Sequence, residues 1–134
     1  MPFGEFVPFS NILSFVNKFV YVPGQLGRGN KISLFELEPW HFGVSICYEI
    51  TFPNLVRKSV KKGAQFLTNI TNDAWFGNSA ASYQHIAIAA LRAVENRTPV
   101  LRAANTGITG AIDASGKIYD QTKIFVEDAV QTTI

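Results

Sequence analysis

The only cysteine of the sequence, Cys47, ends an apolar run and is followed two residues later by an acid, Glu49. Residues 42–46 have the length and the β-branched content of a buried strand. The sequence Thr-Phe-Pro-Asn at 51–54 is typical of a turn that leads into a helix. A cysteine at such a strand-to-helix junction lies at the rim of a sheet, where its thiolate can act as a nucleophile. The alternative is a buried structural thiol, a common state of free cysteine.

Two acids could support a nucleophile. Glu5 stands between Pro2 and Pro8 among aromatic residues. A carboxylate in that setting is either solvated or held by a cation for proton transfer. Glu49 could orient a partner, or cap the helix that follows. The sequence next to Cys47 contains no base or cation to generate the thiolate, so a partner must come from elsewhere.

A Cys–His pair is the competing scheme. His41 precedes Cys47 on the same strand by six residues, which places it roughly 20 Å away. His85 has no supporting acid nearby in the sequence, and no second ligand has metal-binding spacing. We therefore interpret His85 as a helix-surface or packing residue and predict no metal site.

The polar segment 69–78 predicts a third cluster at a strand end. Its Asn and Asp side chains can shape a loop, and Trp75 and Phe76 would form an apolar wall. Arg102 and residues 105–107 end the next strand and could line the same rim. Arg92 and Glu95 lie on a predicted helix, where a salt bridge to the sheet or to a partner subunit is the default interpretation.

The hydrophobic periodicity indicates a mixed α/β layered domain. A stripe of Ile86, Ala89, Ala90, Ala93 and Val94 marks the clearest helix. The predicted strands are 32–37, 42–46, 64–70, 99–103, 107–113 and extended pieces after 118, with 128–134 ending in mid-strand; the predicted helices are 10–19, 54–62 and 82–97.

The length, charge and cysteine count of the sequence argue against several classes of protein. A length of 134 residues, 47% of them hydrophobic and 16% charged, is that of one globular domain. A net charge of +2 without a basic stripe argues against nucleic-acid binding. One cysteine excludes an internal disulfide, and neither a membrane-spanning stretch nor a signal peptide is recognised. Phenylalanines crowd the first 20 residues and could form an apolar lip or ordinary core.

Six motifs occur in a specific order, over residues 2–8, 46–49, 71–77, 84–85, 92–95 and 102–109. They are Pro-Phe-Gly-Glu-Phe-Val-Pro, Ile-Cys-Tyr-Glu, Thr-Asn-Asp-Ala-Trp-Phe-Gly, Gln-His, Arg-Ala-Val-Glu and Arg-Ala-Ala-Asn-Thr-Gly-Ile-Thr. The ordered set resembles the nitrilase-like (carbon–nitrogen hydrolase) domain of the bacterial apolipoprotein N-acyltransferase family. The resemblance covers residues 2–116.

The resemblance implies a four-layer αββα sandwich and a Glu–Lys–Cys triad without metal or cofactor. Cys47 would be the nucleophile, taking an acyl chain from a phospholipid as a thioester and passing it to the α-amine of a diacylglyceryl-cysteine lipoprotein. Glu5 matches an essential loop acid, and Tyr48 and Glu49 match supporting neighbours. Trp75, with Phe76, would shape the lipid-facing pocket. Main-chain N–H groups and the triad lysine would stabilise the oxyanion.

In that family the triad acid, the triad lysine and the membrane-spanning helices lie upstream of the motif at residues 2–8. We therefore expect residues 1–134 to be a partial carbon–nitrogen hydrolase domain, truncated at both ends and inactive alone. The full-length family would sit in the bacterial inner membrane with this domain facing the periplasm. Two alternatives stay open: a soluble amidase-type hydrolase with water as acceptor, and a non-catalytic fragment that packs or binds lipid.

Overall fold

The computed structural model of the chain describes residues 29–134. Glu5 and the helix predicted over 10–19 lie outside the described residues. The strands are β1 (Leu34–Leu37), β2 (Trp40–Ile46), β3 (Phe66–Asn72), β4 (Val100–Asn105), β5 (Gly110–Ile112) and β6 (Ile118–Tyr119); the helices are α1 (Pro53–Lys61) and α2 (Ala81–Asn96). Short 3₁₀ turns span Cys47–Thr51 and Ala74–Phe76.

The six strands form one sheet in the order β1-β2-β3-β4-β5-β6. The central strands β2, β3 and β4 are parallel and are joined by α1 and α2, whereas β1, β5 and β6 pair antiparallel at the two edges. Parallel strands carry their carboxyl ends to the same edge of a sheet. The residues that follow β2, β3 and β4 are therefore neighbours.

Both helices lie on one face of the sheet. Val56 and Ser59 are the buried residues of α1, and a Cβ atom placed on Gly43 of β2 would lie 2.7 Å from Ser59 Cβ, so only glycine permits this approach. From α2, Ile86, Ala89 and Ala93 join Leu67, Val100 and Ile112 in the core. The helices predicted at 54–62 and 82–97 are thus confirmed.

The opposite face of the sheet carries a row of aromatic rings. Phe35, Phe42 and Phe66 stack across β1, β2 and β3 with ring centroids 5.6 and 4.9 Å apart. Leu37 and Trp40 extend this apolar surface and are exposed in the described residues. The described residues thus form one helix layer packed on one sheet layer, which are two of the four layers of the expected αββα sandwich.

Two details of the predicted elements are wrong. The prediction that 128–134 ends in mid-strand fails, because that segment is held by side-chain contacts, Tyr119 Oη to Thr133 O (3.3 Å) and Thr132 Oγ1 to Asp120 Oδ2 (3.0 Å), not by ladder bonds. Val94 is exposed although it belongs to the predicted apolar stripe; it lies against the turn at Gly116 and outside the core cluster.

No helix within residues 29–134 is both long and apolar enough to cross a membrane.

Candidate active site

Cys47 lies where the sequence predicts, at the first residue after β2, and opens a 3₁₀ turn. Its φ of 50° falls in the left-handed region, which costs a non-glycine residue roughly 1–3 kcal/mol and persists only where neighbours enforce it. The side chain is half-buried. Glu49 turns its carboxylate back, and Oε2 accepts the Ile46 N–H at 2.7 Å. Glu49 therefore caps this turn, not the following helix.

A row of polar residues crosses the sheet directly below Cys47. Ser45 of β2 pairs in register with Asn69 of β3, which pairs with Arg102 of β4. All three are buried on the helix-covered face, Asn69 completely. Because buried polar groups are costly unless they are hydrogen-bonded, their partners define what the row does.

Asn69 connects this row to the turn at Cys47. Its Nδ2 donates to the main-chain carbonyls of Ser45 (3.1 Å) and Cys47 (3.2 Å), while its Oδ1 accepts from Arg102 Nη1. The amide thus presents its donors to the turn and its acceptor to the guanidinium. Asn69 and Glu49 together hold the main chain on both sides of Cys47.

Arg102 carries the network onward to the loop after β3. Its Nη2 donates to Asp73 Oδ2 at 2.7 Å, and its Nε donates to the Ile108 carbonyl at 3.1 Å. Asp73 Oδ1 also accepts from the Thr71 hydroxyl at 3.0 Å. A Cβ atom on Gly107 would lie 2.5 Å from Asp73 Oδ2 and would displace this carboxylate.

His85 also belongs to the network. Of its two predicted roles, burial agrees with packing and excludes the helix surface, and the prediction that it has no supporting acid is wrong. Its ring is buried, with Nδ1 3.0 Å from Asp73 Oδ1 and 3.1 Å from Arg102 Nη2. The acid was missed because Asp73 is 12 residues away in sequence and approaches only through the fold. Nε2 is buried without a hydrogen-bond partner among residues 29–134.

Burial and the neighbouring guanidinium oppose protonation of the histidine. Burial lowers the pKa of His85 below its ordinary value of 6.5, and the positive charge of Arg102 lowers it further; Asp73 and the main chain of Cys47 act in the opposite direction. Burial also lowers the pKa of the Arg102 guanidinium, and Asp73 opposes this shift. We expect a neutral imidazole beside an Arg–Asp ion pair at neutral pH.

Aromatic side chains surround the edge above the network. Tyr48 and Phe76 both approach the His85 ring, with centroid distances of 6.1 and 6.2 Å. Tyr48 also meets Phe52 edge-on at 6.3 Å. Trp75 is 85% exposed, so its indole projects from the surface and is not part of the core.

The ion pair of Arg92 lies within one helix, whereas the sequence predicts a salt bridge to the sheet or to a partner subunit. Its Nη2 pairs with Glu95 Oε1 at 3.0 Å on the same helix, and its Nη1 donates to the Thr51 carbonyl at 3.4 Å. The side chain is buried, because it passes under the 3₁₀ turn. Arg92 thus contacts the end of the turn that Cys47 begins.

The structure therefore groups Cys47, Tyr48, Glu49 and Phe76 at one edge, with Trp75 on the adjoining loop. Asn69, Asp73, His85 and Arg102 join them from below, although the sequence alone assigned them only to loop shape, packing or a rim. For Asn69 and Arg102 the signal was a polar residue within each of two apolar strands, whereas Asp73 and His85 lie on a loop and on a helix. No group of three metal-ligating side chains occurs in the part of the chain that the structure describes.

A cysteine at the carboxyl edge of a mixed α/β sheet, fixed by a buried polar network, defines a cysteine-centred α/β domain. The chain belongs to the carbon–nitrogen hydrolase family, whose profile matches residues 5–134. Among solved structures, Saccharomyces cerevisiae Nit3, a member of branch 10 of the nitrilase superfamily, shares the fold with a TM-score of 0.65 and 25% identity, covering 77% of this chain and 41% of Nit3. An amidase from Nesterenkonia sp. superposes with a TM-score of 0.58 at 19% identity, over 80% and 41% of the two chains.

The curated relatives carry a narrower name. The apolipoprotein N-acyltransferase of Geobacter metallireducens is 49% identical over 127 residues, which are 95% of this chain and 24% of that protein. The apolipoprotein N-acyltransferase of Haemophilus influenzae is 40% identical over 130 residues, or 95% and 25% of the two chains. The chain thus spans about a quarter of the length of these relatives.

Proposed function

We propose that this chain is the nucleophile-bearing part of an apolipoprotein N-acyltransferase. The observation that carries the proposal is the placement of Cys47 in a left-handed turn at the open edge of the sheet, held from both sides by Asn69 and Glu49. A structural thiol needs no such enforced conformation. The names of the relatives at 49% and 40% identity support the choice of reaction.

The proposed chemistry has two halves. The Cys47 thiolate attacks an acyl-ester carbonyl of a phospholipid, the ester C–O bond breaks, and the lysophospholipid alkoxide leaves with a proton. The α-amine of a diacylglyceryl-cysteine lipoprotein then attacks the thioester, forming an amide bond. The thioester C–S bond breaks, and the proton that the amine loses goes to the departing thiolate, so that Cys47 returns as the thiol. The proton taken up by the lysophospholipid alkoxide in the first half is the one that the Cys47 thiol had given up.

Each candidate residue receives a role in this scheme. Tyr48 and Glu49 fix the turn that presents the thiol, and Trp75 with Phe76 contacts the acyl chains, since an indole exposed at the edge offers apolar area to a lipid. Glu5 acts as the essential loop acid, a role that rests on the resemblance alone.

The same resemblance implies a triad acid and a triad lysine upstream of residues 2–8. We propose that a polypeptide of these 134 residues, tested alone, does not complete acyl transfer, because the thiolate and the oxyanion then lack the lysine cation. We also propose that the substrates place the working enzyme at the bacterial inner membrane, with this domain on the periplasmic side.

A chimera tests the proposal. The 127 matched residues of the Geobacter metallireducens relative are replaced by the corresponding residues of this chain, and the membrane protein is incubated with phospholipid and a diacylglyceryl-cysteine peptide. We expect N-acylated peptide, and a loss of at least about 1000-fold with Cys47→Ser. An inactive but folded chimera would contradict the proposal.

The amidase-type alternative differs in its acceptor. If water takes the acyl group, the chimera releases free fatty acid at the same rate whether or not the peptide is present. Acyl transfer to the peptide requires the opposite result, with fatty acid as a minor product.

A further inference from the structure

We propose that Arg102 and Asn69 are positioning residues for the Cys47 nucleophile, an inference that rests on the proposed function. Arg102 orients the Asn69 side chain, and Asn69 in turn holds the main chain of Cys47. Neither residue contacts the reacting atoms in this scheme.

The orientation of the Asn69 amide is the first step of the inference. An amide has one acceptor side and one donor side, and its hydrogen-bond network decides which way it points. Arg102 Nη1 donates to Oδ1, so Nδ2 faces the carbonyls of Ser45 and Cys47. Without the guanidinium, a flipped amide would direct its oxygen at two other oxygens and release Cys47.

The conformation of Cys47 is the second step. A left-handed cysteine requires its surroundings to fix both adjoining peptide groups. Glu49 holds the Ile46 N–H on one side, and Asn69 holds the Cys47 carbonyl on the other. The carbonyl bond is the one that depends on the buried row.

The third step concerns the free-energy cost of burying charged and polar side chains in this row. Arg102 and Asp73 form a fully buried ion pair, yet apolar residues of similar volume are often neutral or stabilising in such positions. One row deeper, Leu67 and Val100 fill the same face with aliphatic side chains. A charged pair adjacent to Cys47 therefore has a geometric role that an apolar pair could not perform.

The Arg102 fork also ties the turn to the neighbouring loop. One guanidinium bonds Asn69, which holds Cys47, and Asp73, which begins the segment bearing Trp75 and Phe76. Nucleophile and proposed acyl contacts are thereby held in one rigid frame. Small misplacements of a reacting group cost as much as roughly 100-fold in rate.

The first measurement is amide hydrogen exchange of the 134-residue chain. Asn69→Asp keeps the size of the side chain and the bond to Arg102 but removes the donor to Cys47. We expect the Phe52 amide, which donates to Glu49 O at 3.0 Å within the turn, to exchange about tenfold faster or more. The Leu67 amide, which donates to Pro99 O at 2.9 Å in the core, should be unchanged. Asn54→Asp, an exposed change of equal charge, is the matched control.

The second measurement uses the chimera. Asn69→Asp should lower kcat for acyl transfer by roughly 100-fold and leave KM for phospholipid within about twofold. If Asn69→Asp prevents folding, Arg102→Lys, which keeps the charge but loses the fork, is measured in its place.

Two results would overturn the inference. Unchanged exchange at Phe52 with unchanged kcat would show that the row does not hold the turn. Equal acceleration at Phe52 and Leu67 would show a general structural role. A chimera that is inactive before any of these substitutions defeats the proposed function, whereas the exchange result in the chain still decides whether Asn69 holds the turn.

Discussion

Gly107 lies against Asp73 so closely that a Cβ atom at Gly107 would come within 2.5 Å of Asp73 Oδ2 and 2.9 Å of Asp73 Cγ. Gly107 thus packs directly against the carboxylate at the centre of the buried network. Asp73 contacts Arg102, Thr71 and His85, so a displaced Asp73 would disturb all three contacts. The glycine in the Asn-Thr-Gly motif is thus explained by space rather than by a turn.

Gly107→Ala should lower the free energy of unfolding by about 1–3 kcal/mol, the usual effect of inserting a methyl group into a packed site. Urea titration followed by circular dichroism measures it. Gly29→Ala is the control, since a Cβ atom at Gly29 meets nothing within 4 Å, and it should change stability by less than about 0.5 kcal/mol. Equal stability of the two variants would contradict the close contact.

His85 predicts a pH dependence of stability. Its pKa in the folded chain lies below the unfolded value of about 6.5, so the unfolded state binds a proton first as the pH falls. The contribution of His85 is therefore complete above about pH 6.5 and is lost as the pH decreases through that value toward the folded pKa.

Unfolding free energies of the parent chain and of His85→Gln, measured from pH 8 to pH 5, test this sign. The difference between the two proteins should shrink below about pH 6.5. His41→Gln, at the exposed start of β2, is the control. A difference that grows toward low pH would show that the buried ring is stabilised by protonation.

Glu49 should act through its acceptor oxygen. Glu49→Ala leaves the Ile46 N–H without its 2.7 Å partner and should destabilise the turn by about 1.5 kcal/mol, the lower range for bonds to a charged group. Glu49→Gln retains an acceptor and should recover most of the acyl transfer in the chimera. Equal loss in both variants would assign the effect to charge instead.

Trp75 should matter for substrate and not for stability. With 85% of its surface exposed, Trp75→Ala should change the unfolding free energy by less than about 0.5 kcal/mol. In the chimera it should raise KM for phospholipid, because an exposed indole loses contact area with acyl chains. A large loss of stability, or an unchanged KM, would remove Trp75 from the substrate surface.

Much of the fold follows from local patterns. The βαβ order around Cys47 could be predicted because the apolar runs 42–46 and 64–70 flank a helix with lysines on one face. The prediction that 128–134 ends in mid-strand failed, because its sequence pattern does not show whether any sheet edge is available to pair with it. The exposure of Val94 likewise depends on tertiary structure, since the helix periodicity does not show that this residue lies outside the core cluster.

The candidate site also has a part that local sequence predicts and a part that it does not. Cys47 and Glu49 are neighbours in sequence, so their junction was predictable, although the 3₁₀ turn and the capped Ile46 N–H were not. The network joining Asn69, His85 and Arg102 requires the strand register, which periodicity does not supply. His85 and Arg102 were visible in the motifs and Asn69 in the polar segment 69–78, without the distances that give them a common role.

The central claim is that Cys47 forms an acyl thioester. The chimera is incubated with phospholipid alone, without the peptide acceptor, and the peptide containing Cys47 is analysed by mass spectrometry. The proposal predicts an added acyl chain on Cys47 that hydroxylamine removes, and no adduct with Cys47→Ser. A folded chimera that consumes phospholipid while Cys47 stays unmodified would contradict it.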